Sequence, residues 1–253
     1  MQYFQQPSYV EYLREHCSPQ LEETRGRVVG LQLARQVLDR LGPKPGQRVL
    51  EIGCGLGRIL HLLETEYGVE VFGCDISESV VAEAQRLLPH AAGRITVSPS
   101  DDVAHRGQHF DHVVLWGVFE MTTQRQTLVE ISRLLRVGGQ ALLCSVKPAR
   151  YAPDDEDSEA ARRAYIEKRI PIRYTDIEAF ERLASFLGFT VRERMVFEYK
   201  RDLTSERYTV ETAPRTDMAA SDVFYVLEKT TRTPLDAQVQ ISPEDVGTEA
   251  GTR

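Results

Sequence analysis

Apolar and polar positions alternate in a regular way along the middle of the chain. Short runs that are apolar almost throughout, such as RVLEIG at 48–53 and HVVLWG at 112–117, are separated by stretches in which apolar residues recur every three or four positions. The first pattern is typical of strands buried on both faces, and the second of amphipathic helices. Their alternation predicts an α/β domain whose mostly parallel sheet is covered by helices on both faces.

The same pattern locates the individual elements. Strands are expected at 48–53, 69–76, 94–99, 112–117, 140–146, 189–199 and 221–229, and helices at 8–17, 24–41, 58–67, 77–88, 122–135 and 175–188. After Val146 an acidic loop and a charged stretch interrupt the alternation, which predicts an insertion at 147–174. We expect a helical lid over 1–42, a core domain over 43–230 and a flexible polar tail over 231–253.

Composition and charge exclude several function classes. The net charge of −7 opposes a nucleic-acid-binding face. No apolar run approaches the roughly 18 residues of a membrane span, so no membrane partner is expected. The N-terminus lacks a basic leader followed by an apolar stretch, which predicts a cytoplasmic protein. The four cysteines form no C-x-x-C pair, so neither a metal site nor a disulfide framework is expected.

The segment VLEIGCGLGRI at 49–59 carries the strongest chemical signal. A predicted strand runs into Gly53, Gly55 and Gly57 and then into a helix. Because glycines in such a turn leave no side chain between the backbone and a ligand, we expect a cofactor there. The dinucleotide fingerprint G-x-G-x-x-G would place its third glycine at position 58, where this chain has Arg58.

The turn, with Glu51 two positions before its first glycine, resembles the first motif of class I S-adenosylmethionine-dependent methyltransferases. The resemblance covers 45–146 and includes an R-x-L-x-x-G-G turn formed by Arg133, Leu135, Gly138 and Gly139. The two glycines of that turn are expected to stop the preceding helix. The resemblance implies a doubly wound, seven-stranded α/β sheet in the order 3-2-1-4-5-7-6 with the last strand antiparallel. It also implies S-adenosylmethionine as the cofactor, with S-adenosylhomocysteine as its product.

A set of cofactor-binding residues follows from the same resemblance. They are Glu51, Gly53, Cys54, Gly55, Gly57, Asp75, Ile76, Asp101, Asp102 and Trp116. The glycine loop is expected under the methionine part, with Glu51 near its ammonium group. Asp75 is expected on the ribose diol and Asp101 on the adenine amino group.

Structural alternatives to these roles stay open. Asp75 could cap the helix that follows it, and Glu51 could serve the amides of the loop. Asp101 and Asp102 could form a solvated turn. Trp116 suits both the border of a cofactor and the packing of a core.

Methyl transfer is an in-line displacement that depends mainly on aligning the acceptor atom with the methyl group. We expect a small-molecule acceptor that is methylated on oxygen or nitrogen. Where a general base is needed, Glu120, just after the fourth strand, is the first catalytic candidate. Its alternative role is that of a carboxylate that stabilises the start of a helix.

The acceptor pocket is expected to come from segments outside the cofactor motifs. Aromatic residues near the N-terminus could form a lid or ordinary packing; they are Tyr3, Phe4, Tyr9 and Tyr12. Candidates for acceptor recognition around the insertion are Arg150, Tyr151, Tyr165, Arg173 and Tyr174.

Two other function classes share this fold. A NAD(P)-dependent oxidoreductase is opposed by Arg58 and by the lack of a plausible Tyr-x-x-x-Lys pair. A non-catalytic, cofactor-binding partner subunit is compatible with the fold as well. The acceptor and the oligomeric state, of which a homodimer is one option, do not follow from the sequence.

Overall fold

A computed structural model describes most of the chain. The described residues are 2–19, 30–107, 109–149, 163–164, 166–167, 170, 172–212, 220–232 and 248–249. Their strands are β1 (Arg48–Ile52), β2 (Glu70–Asp75), β3 (Ile95–Val97), β4 (Phe110–Leu115), β5 (Leu135–Val146), β6 (Arg173–Tyr174), β7 (Phe189–Phe197), β8 (Thr209–Glu211), β9 (Asp222–Lys229) and β10 (Thr248–Glu249). Eight of these strands form one sheet, and β6 pairs with β10 separately.

The main sheet has the order β3-β2-β1-β4-β5-β9-β7-β8. Strands β1 to β5 pair in parallel, whereas β9 runs antiparallel to both β5 and β7. This confirms the predicted α/β class and the order of the seven expected strands. The predicted number of strands is wrong by one, because β8 adds an eighth at the edge. Its three residues are too few to produce a visible alternation.

Most of the helices lie close to the predicted positions, and the four-residue helix at Asp202–Ser205 was not predicted. After a 3₁₀ turn at Gln2–Gln5, they are α1 (Pro7–His16), α2 (Leu31–Leu41), α3 (Arg58–Tyr67), α4 (Glu78–Leu87), α5 (Gln124–Leu134), α6 (Ile177–Phe186) and α7 (Asp202–Ser205). Asp176 caps helix α6, and its carboxylate accepts a hydrogen bond from the amide of Ala179 at 3.0 Å. Buried apolar residues form one large cluster on each face of the sheet. No helix of the described residues is long and apolar enough to cross a bilayer.

The expected helix stop at Gly138 and Gly139 is wrong. Helix α5 ends at Leu134, and β5 starts at the next residue, so both glycines lie inside the strand. The register of β5 against β4 shifts at this point, and a Cβ on Gly139 would lie 2.8 Å from the carbonyl oxygen of Asp111. The glycines are therefore needed for a bulge in close contact with the neighbouring strand.

Strand direction decides where the site lies. The carboxyl ends of the parallel strands meet at one edge of the sheet. Because β9 is antiparallel to both of its neighbours, β7 runs in the same direction as β5 and also ends at this edge. The loops that follow β1, β2, β4, β5 and β7 therefore converge, as does the start of β9 at Asp222.

Candidate functional site

A cavity of about 550 Å³ opens at the carboxyl edge of the sheet. Eight of the eleven predicted site residues line it, namely Glu51, Gly53, Cys54, Gly55, Asp75, Ile76, Asp101 and Trp116. The other three, Gly57, Asp102 and Glu120, do not belong to its wall. The wall also contains aromatic residues of the N-terminal segment and basic residues from three separate segments.

The three glycines of the turn have different roles. A Cβ on Gly53 would lie 2.5 Å from Cγ2 of Val118, and a Cβ on Gly57 would overlap the side chain of Leu88. Gly55 has open space around it, the nearest atom to a Cβ being Cδ1 of Leu13 at 3.9 Å. Two glycines thus permit close packing inside the protein, and Gly55 keeps the backbone accessible from the cavity.

Asp75 connects the glycine turn to the start of α4. Its Oδ2 accepts a hydrogen bond from the amide of Gly55 at 3.1 Å, and its Oδ1 accepts one from the amide of Ser77 at 3.0 Å. Ser77 occupies the N-cap position of α4 without a capping hydrogen bond from its own side chain. Asp75 therefore has a structural role as well as a place in the cavity wall. Burial raises its pKa, although the amide donors oppose the shift.

Glu51 is a buried carboxylate on the same wall. Its Oε2 has no hydrogen-bond partner among the described residues. Burial raises its pKa well above the usual range, and the charge of Asp75 adds to the shift. Two neighbouring buried carboxylates favour a ligand that brings a positive charge or several hydrogen-bond donors.

The N-terminal segment covers part of the cavity. The side-chain amide of Gln5 donates to the carbonyl oxygen of Ile76 at 3.0 Å, directly after β2. The rings of Tyr3, Phe4 and Tyr9 contact one another with centroid distances of 5.2 to 5.5 Å, and all three line the cavity. Burial, with the nearby charge of Asp75, raises the pKa of Tyr9. These aromatic residues therefore pack together and form part of the cavity wall.

The packing of α1 holds this segment in place. Val10 and Leu13 of α1 form an apolar cluster with Leu56 and Val80 of the core domain. The cluster is separate from the two main cores. The N-terminal segment is thus attached through a small contact of its own.

The adjacent residues Asp101 and Asp102 have different surroundings. Oδ2 of Asp101 accepts a hydrogen bond from Oγ1 of Thr123 at 2.7 Å, and Asp101 lines the cavity. Asp102 instead forms an exposed ion pair with Arg106. The structure therefore supports a cavity role only for the first of the two.

Trp116 both borders the cavity and packs against the core, the two positions considered for it. It lines the cavity, and its ring also makes an edge contact with Phe224 at a centroid distance of 5.9 Å. The contact with Phe224 therefore determines which side of the indole ring faces the cavity.

Glu120 lies behind the cavity wall, in a 3₁₀ turn after β4. Only 4% of its surface is exposed. Burial raises its pKa to about 7, while the charges of Lys147 and Lys200 lower it in part and that of Asp222 raises it. Glu120 is not part of the cavity wall. Its catalytic role therefore stays a prediction.

The buried pair of Lys147 and Asp222 adjoins Glu120. Nζ of Lys147 lies 2.9 Å from Oδ1 of Asp222, and Nζ of Lys200 lies 3.4 Å from Oδ2 of the same carboxylate. The hydroxyl of Ser221 donates to Oδ2 at 2.6 Å. We call Glu120, Lys147, Lys200 and Asp222 the charged cluster. Of these four residues, Lys200 lines the cavity.

The basic residues of the cavity wall are Arg58, Arg173 and Lys200, and the sequence analysis identified only one of them as a candidate. Arg173 was a candidate and lines the cavity, whereas Tyr174 does not. Lys200 was missed, because it follows the sixth predicted strand and belongs to no motif. Arg58 was noted only as a departure from the dinucleotide fingerprint, yet it lines the cavity at the start of α3. The other candidates, Arg150, Tyr151 and Tyr165, lie outside the described residues.

Comparison with known proteins adds a family to this geometry. Residues 49–139 match the family profile described as a methyltransferase domain. Over this segment the chain is similar to methyltransferase domains. The matched segment contains the glycine turn, Asp75 and the pair Asp101–Asp102. The match agrees with the family that the sequence motifs resemble.

Curated relatives of this chain differ in what their names say they modify. An O-methyltransferase (resE) of Aspergillus sclerotiorum is 29% identical over 54% of this chain and 54% of its own length. A demethylmenaquinone methyltransferase of Beutenbergia cavernae is 33% identical over 47% of this chain and 49% of its own length. The chain thus spans about half the length of the curated relatives it matches.

Solved structures agree on the fold. A geranyl diphosphate C-methyltransferase from Streptomyces coelicolor A3(2) superposes with a TM-score of 0.61 at 14% identity, covering 79% of this chain and 77% of that one. Phosphoethanolamine N-methyltransferase 2 of Haemonchus contortus gives a TM-score of 0.56 at 22% identity, covering 74% of this chain and 44% of that one. These neighbours are named for methylation at carbon and at nitrogen, so the shared fold does not select the acceptor atom.

Proposed function

We propose that this protein is an S-adenosylmethionine-dependent methyltransferase that transfers a methyl group to an oxygen or nitrogen atom of a small-molecule acceptor. One observation carries the proposal. A single cavity brings together Glu51, Asp75 and Asp101, which follow or end three neighbouring strands, with the accessible backbone of Gly55. These are the positions at which the family resemblance places the cofactor's functional groups.

The cavity residues fit the chemistry of the cofactor. The unpartnered Oε2 of Glu51 is an acceptor for an ammonium group, which would also offset the repulsion between Glu51 and Asp75. Asp75 keeps acceptor capacity beyond the two amides that it already binds, since a carboxylate offers about four lone-pair sites. Asp101 accepts one hydrogen bond from Thr123 and retains capacity for an amino group.

When bound, S-adenosylmethionine supplies a methyl group activated by a sulfonium centre. The protein's own residues bind, orient and exclude water. Tyr3, Phe4, Tyr9 and Trp116 contribute an aromatic wall that keeps water out of the reacting region. The exclusion of water favours the reaction, because water would stabilise the positive charge on sulfur that disappears as the methyl group is transferred. The close packing of Gly53 against Val118 fixes the turn on which the cofactor would rest.

Calorimetric titration with S-adenosylhomocysteine, NAD and NADP tests the proposal. The wild-type protein is expected to bind S-adenosylhomocysteine and to show no measurable binding of either dinucleotide. The variant Asp75→Asn keeps the size of the side chain but removes its charge, and it is expected to bind S-adenosylhomocysteine about 10 to 100 times more weakly, as for the loss of one or two charged hydrogen bonds.

The matched control is Asp102→Asn, which makes the same change of charge on a carboxylate outside the cavity. It is expected to bind S-adenosylhomocysteine as the wild type does. Tighter binding of NAD or NADP than of S-adenosylhomocysteine, or equal binding by Asp75→Asn and Asp102→Asn, would contradict the proposal.

A further inference from the structure

Thr123 occupies the N-cap position of α5 without capping the helix. A threonine at this position usually accepts a hydrogen bond from an amide of the first helical turn through its side-chain oxygen. The side chain of Thr123 makes no such bond. Its hydroxyl group instead donates to Oδ2 of Asp101 at 2.7 Å, and both residues line the cavity. A local preference is thus given up for a contact in the cavity wall, which is typical of functional positions.

This contact determines how Asp101 can bind a ligand. The hydroxyl group of Thr123 occupies Oδ2, and a carboxylate has enough lone pairs for Oδ1 to accept from a second donor. The adjacent Asp102 pairs with Arg106 and does not belong to the cavity wall. Thr123 therefore fixes the direction of the carboxylate that lines the cavity, in a loop whose next carboxylate points elsewhere.

A second contact attaches the loop after β3 to α5. The hydroxyl groups of Ser100 and Thr127 lie 2.9 Å apart, within hydrogen-bond distance. This contact does not involve Thr123. Loss of the Thr123 hydroxyl group is therefore expected to release the carboxylate of Asp101 while the loop stays attached to the helix.

The turn that contains Thr123 is held by Arg173 of β6. Nη1 of Arg173 donates to the carbonyl oxygens of Thr122 at 3.0 Å and of Met121 at 3.5 Å. On the other side of Thr123, the side-chain amide of Gln124 donates to the carbonyl oxygen of Arg173 at 3.2 Å. The residues immediately before and after Thr123 are thus both bonded to Arg173.

Buried contacts anchor this support. Oγ1 of Thr175, directly after β6, donates to Oε1 of Gln124 at 3.0 Å, and the amide of Thr175 donates to the carbonyl oxygen of Lys147 at 2.6 Å. Thr175 is fully buried, and Gln124 is only 2% exposed. The backbone on which Thr123 lies is therefore fixed before a ligand binds, as a binding group held by its neighbours requires.

Resting on the proposed function, we propose that Thr123 is a positioning residue that makes the cavity selective for the amino group of adenine. Thr123 orients Asp101, and Asp101 accepts a hydrogen bond from the amino group. A purine with an oxygen atom in place of the amino group would direct a lone pair towards the carboxylate. Such a purine is rejected, because the carboxylate then has no donor to pair with.

The test compares S-adenosylhomocysteine with its deaminated analogue S-inosylhomocysteine, in which an oxo group replaces the amino group. Calorimetric titration of the full chain gives the ratio of the two dissociation constants. The wild type is expected to bind the adenosyl compound about 10 to 100 times more tightly, as for a hydrogen bond to a charged group. Equal binding of the two compounds by the wild type would overturn the inference.

Variants of Thr123 test its role directly. Thr123→Val keeps the shape of the side chain but removes the hydroxyl group, and it is expected to reduce the ratio about tenfold. Thr123→Ser keeps the hydroxyl group and is expected to retain most of the ratio. The matched control is Thr65→Val, which removes an exposed hydroxyl group that donates to the carbonyl oxygen of His61 at 2.7 Å, outside the cavity wall. It is expected to keep the wild-type ratio.

A double variant separates positioning from a general structural effect. Asp101→Ala alone is expected to lose the selectivity, and the addition of Thr123→Val is expected to change it no further, because Thr123 acts through Asp101. Additive losses of selectivity would contradict this, as would an unchanged ratio in Thr123→Val.

Stability supplies a further readout. Because the side chain of Thr123 does not cap α5, Thr123→Val is expected to unfold at the same urea concentration as Thr65→Val. A clearly lower midpoint, with equal weakening of both ligands, would show a structural role instead and overturn the inference. Failure of the proposed function has a different signature, since the wild type would then bind neither compound.

Discussion

The two ends of the cavity are built in different ways. At the end that contains the glycine turn, Glu51, Gly55 and Asp75 lie within 25 consecutive residues, and hydrogen bonds between neighbouring strands and loops hold them. At the other end, Arg173 and the charged cluster come from segments far apart in the sequence. The first end depends on backbone shape and the second on balanced buried charges. The two ends should therefore respond differently to substitution and to pH.

The largest expected effect comes from the charged cluster. Asp222→Ala leaves two lysines near each other without their shared buried partner, and we expect it to lower the free energy of unfolding by about 3 to 5 kcal/mol. The measurement is urea denaturation followed by circular dichroism. The control is Asp176→Ala, which removes an exposed helix cap and is expected to cost about 1 kcal/mol. Similar losses for both variants would show that Asp222 does not hold the cluster.

A pH effect of intermediate size is expected from Glu120. Burial raises its pKa from the usual 4.5 to about 7, so the folded state retains a proton that the unfolded state releases. The contribution of Glu120 to stability is therefore unchanged below about pH 4.5, decreases as the pH rises to about 7, and is constant above that. The total decrease is about 3 kcal/mol, at 1.36 kcal/mol for each unit of pKa.

Glu120→Gln cannot ionise and isolates this effect. The difference in unfolding free energy between the variant and the wild type is expected to shift in favour of the variant between pH 4.5 and 7. Other buried carboxylates, Glu51 and Asp75 among them, contribute equally to both proteins and cancel in the difference. A difference that does not vary with pH would mean that Glu120 is ionised throughout this range.

The smallest effect, and the sharpest contrast, is expected within the glycine turn. Gly57→Ala and Gly55→Ala both place a side chain at positive φ, at +82° and +52°. Each should cost about 1 kcal/mol for the backbone conformation, and Gly57→Ala should cost more because of its overlap with Leu88. Gly55→Ala, with open space around it, should instead weaken cofactor binding.

Chemical denaturation and titration with S-adenosylhomocysteine separate the two glycines. Gly57→Ala is expected to be the less stable variant but to bind the cofactor product normally once folded. Gly55→Ala is expected to be the more stable variant but to bind it more weakly. The reverse pattern would show that Gly57, rather than Gly55, faces the ligand.

The sequence by itself determined the α/β class and eight of the residues that line the cavity, and its resemblance to a known family implied the order of the seven expected strands. Buried parallel strands have a distinctive apolar pattern, and a turn between a strand and the next helix places its residues together without help from distant parts of the chain. Asp75 illustrates this, because it ends the strand that pairs with β1, and so lies beside the turn after β1. The sequence favoured Asp101 over Asp102 for the adenine amino group, but only the folded loop shows that Asp101 lines the cavity and that Asp102 pairs with Arg106.

Only the tertiary structure decided the surroundings of Lys200 and Glu120. The position of Lys200 depends on β7 being placed next to β9 and parallel to β5, a relation between strands some 50 residues apart. The environment of Glu120 depends on burial and on two lysines from other segments, and these determine its charge. Local pattern encodes the shape of the backbone, whereas burial and the sum of nearby charges exist only after distant segments have packed together.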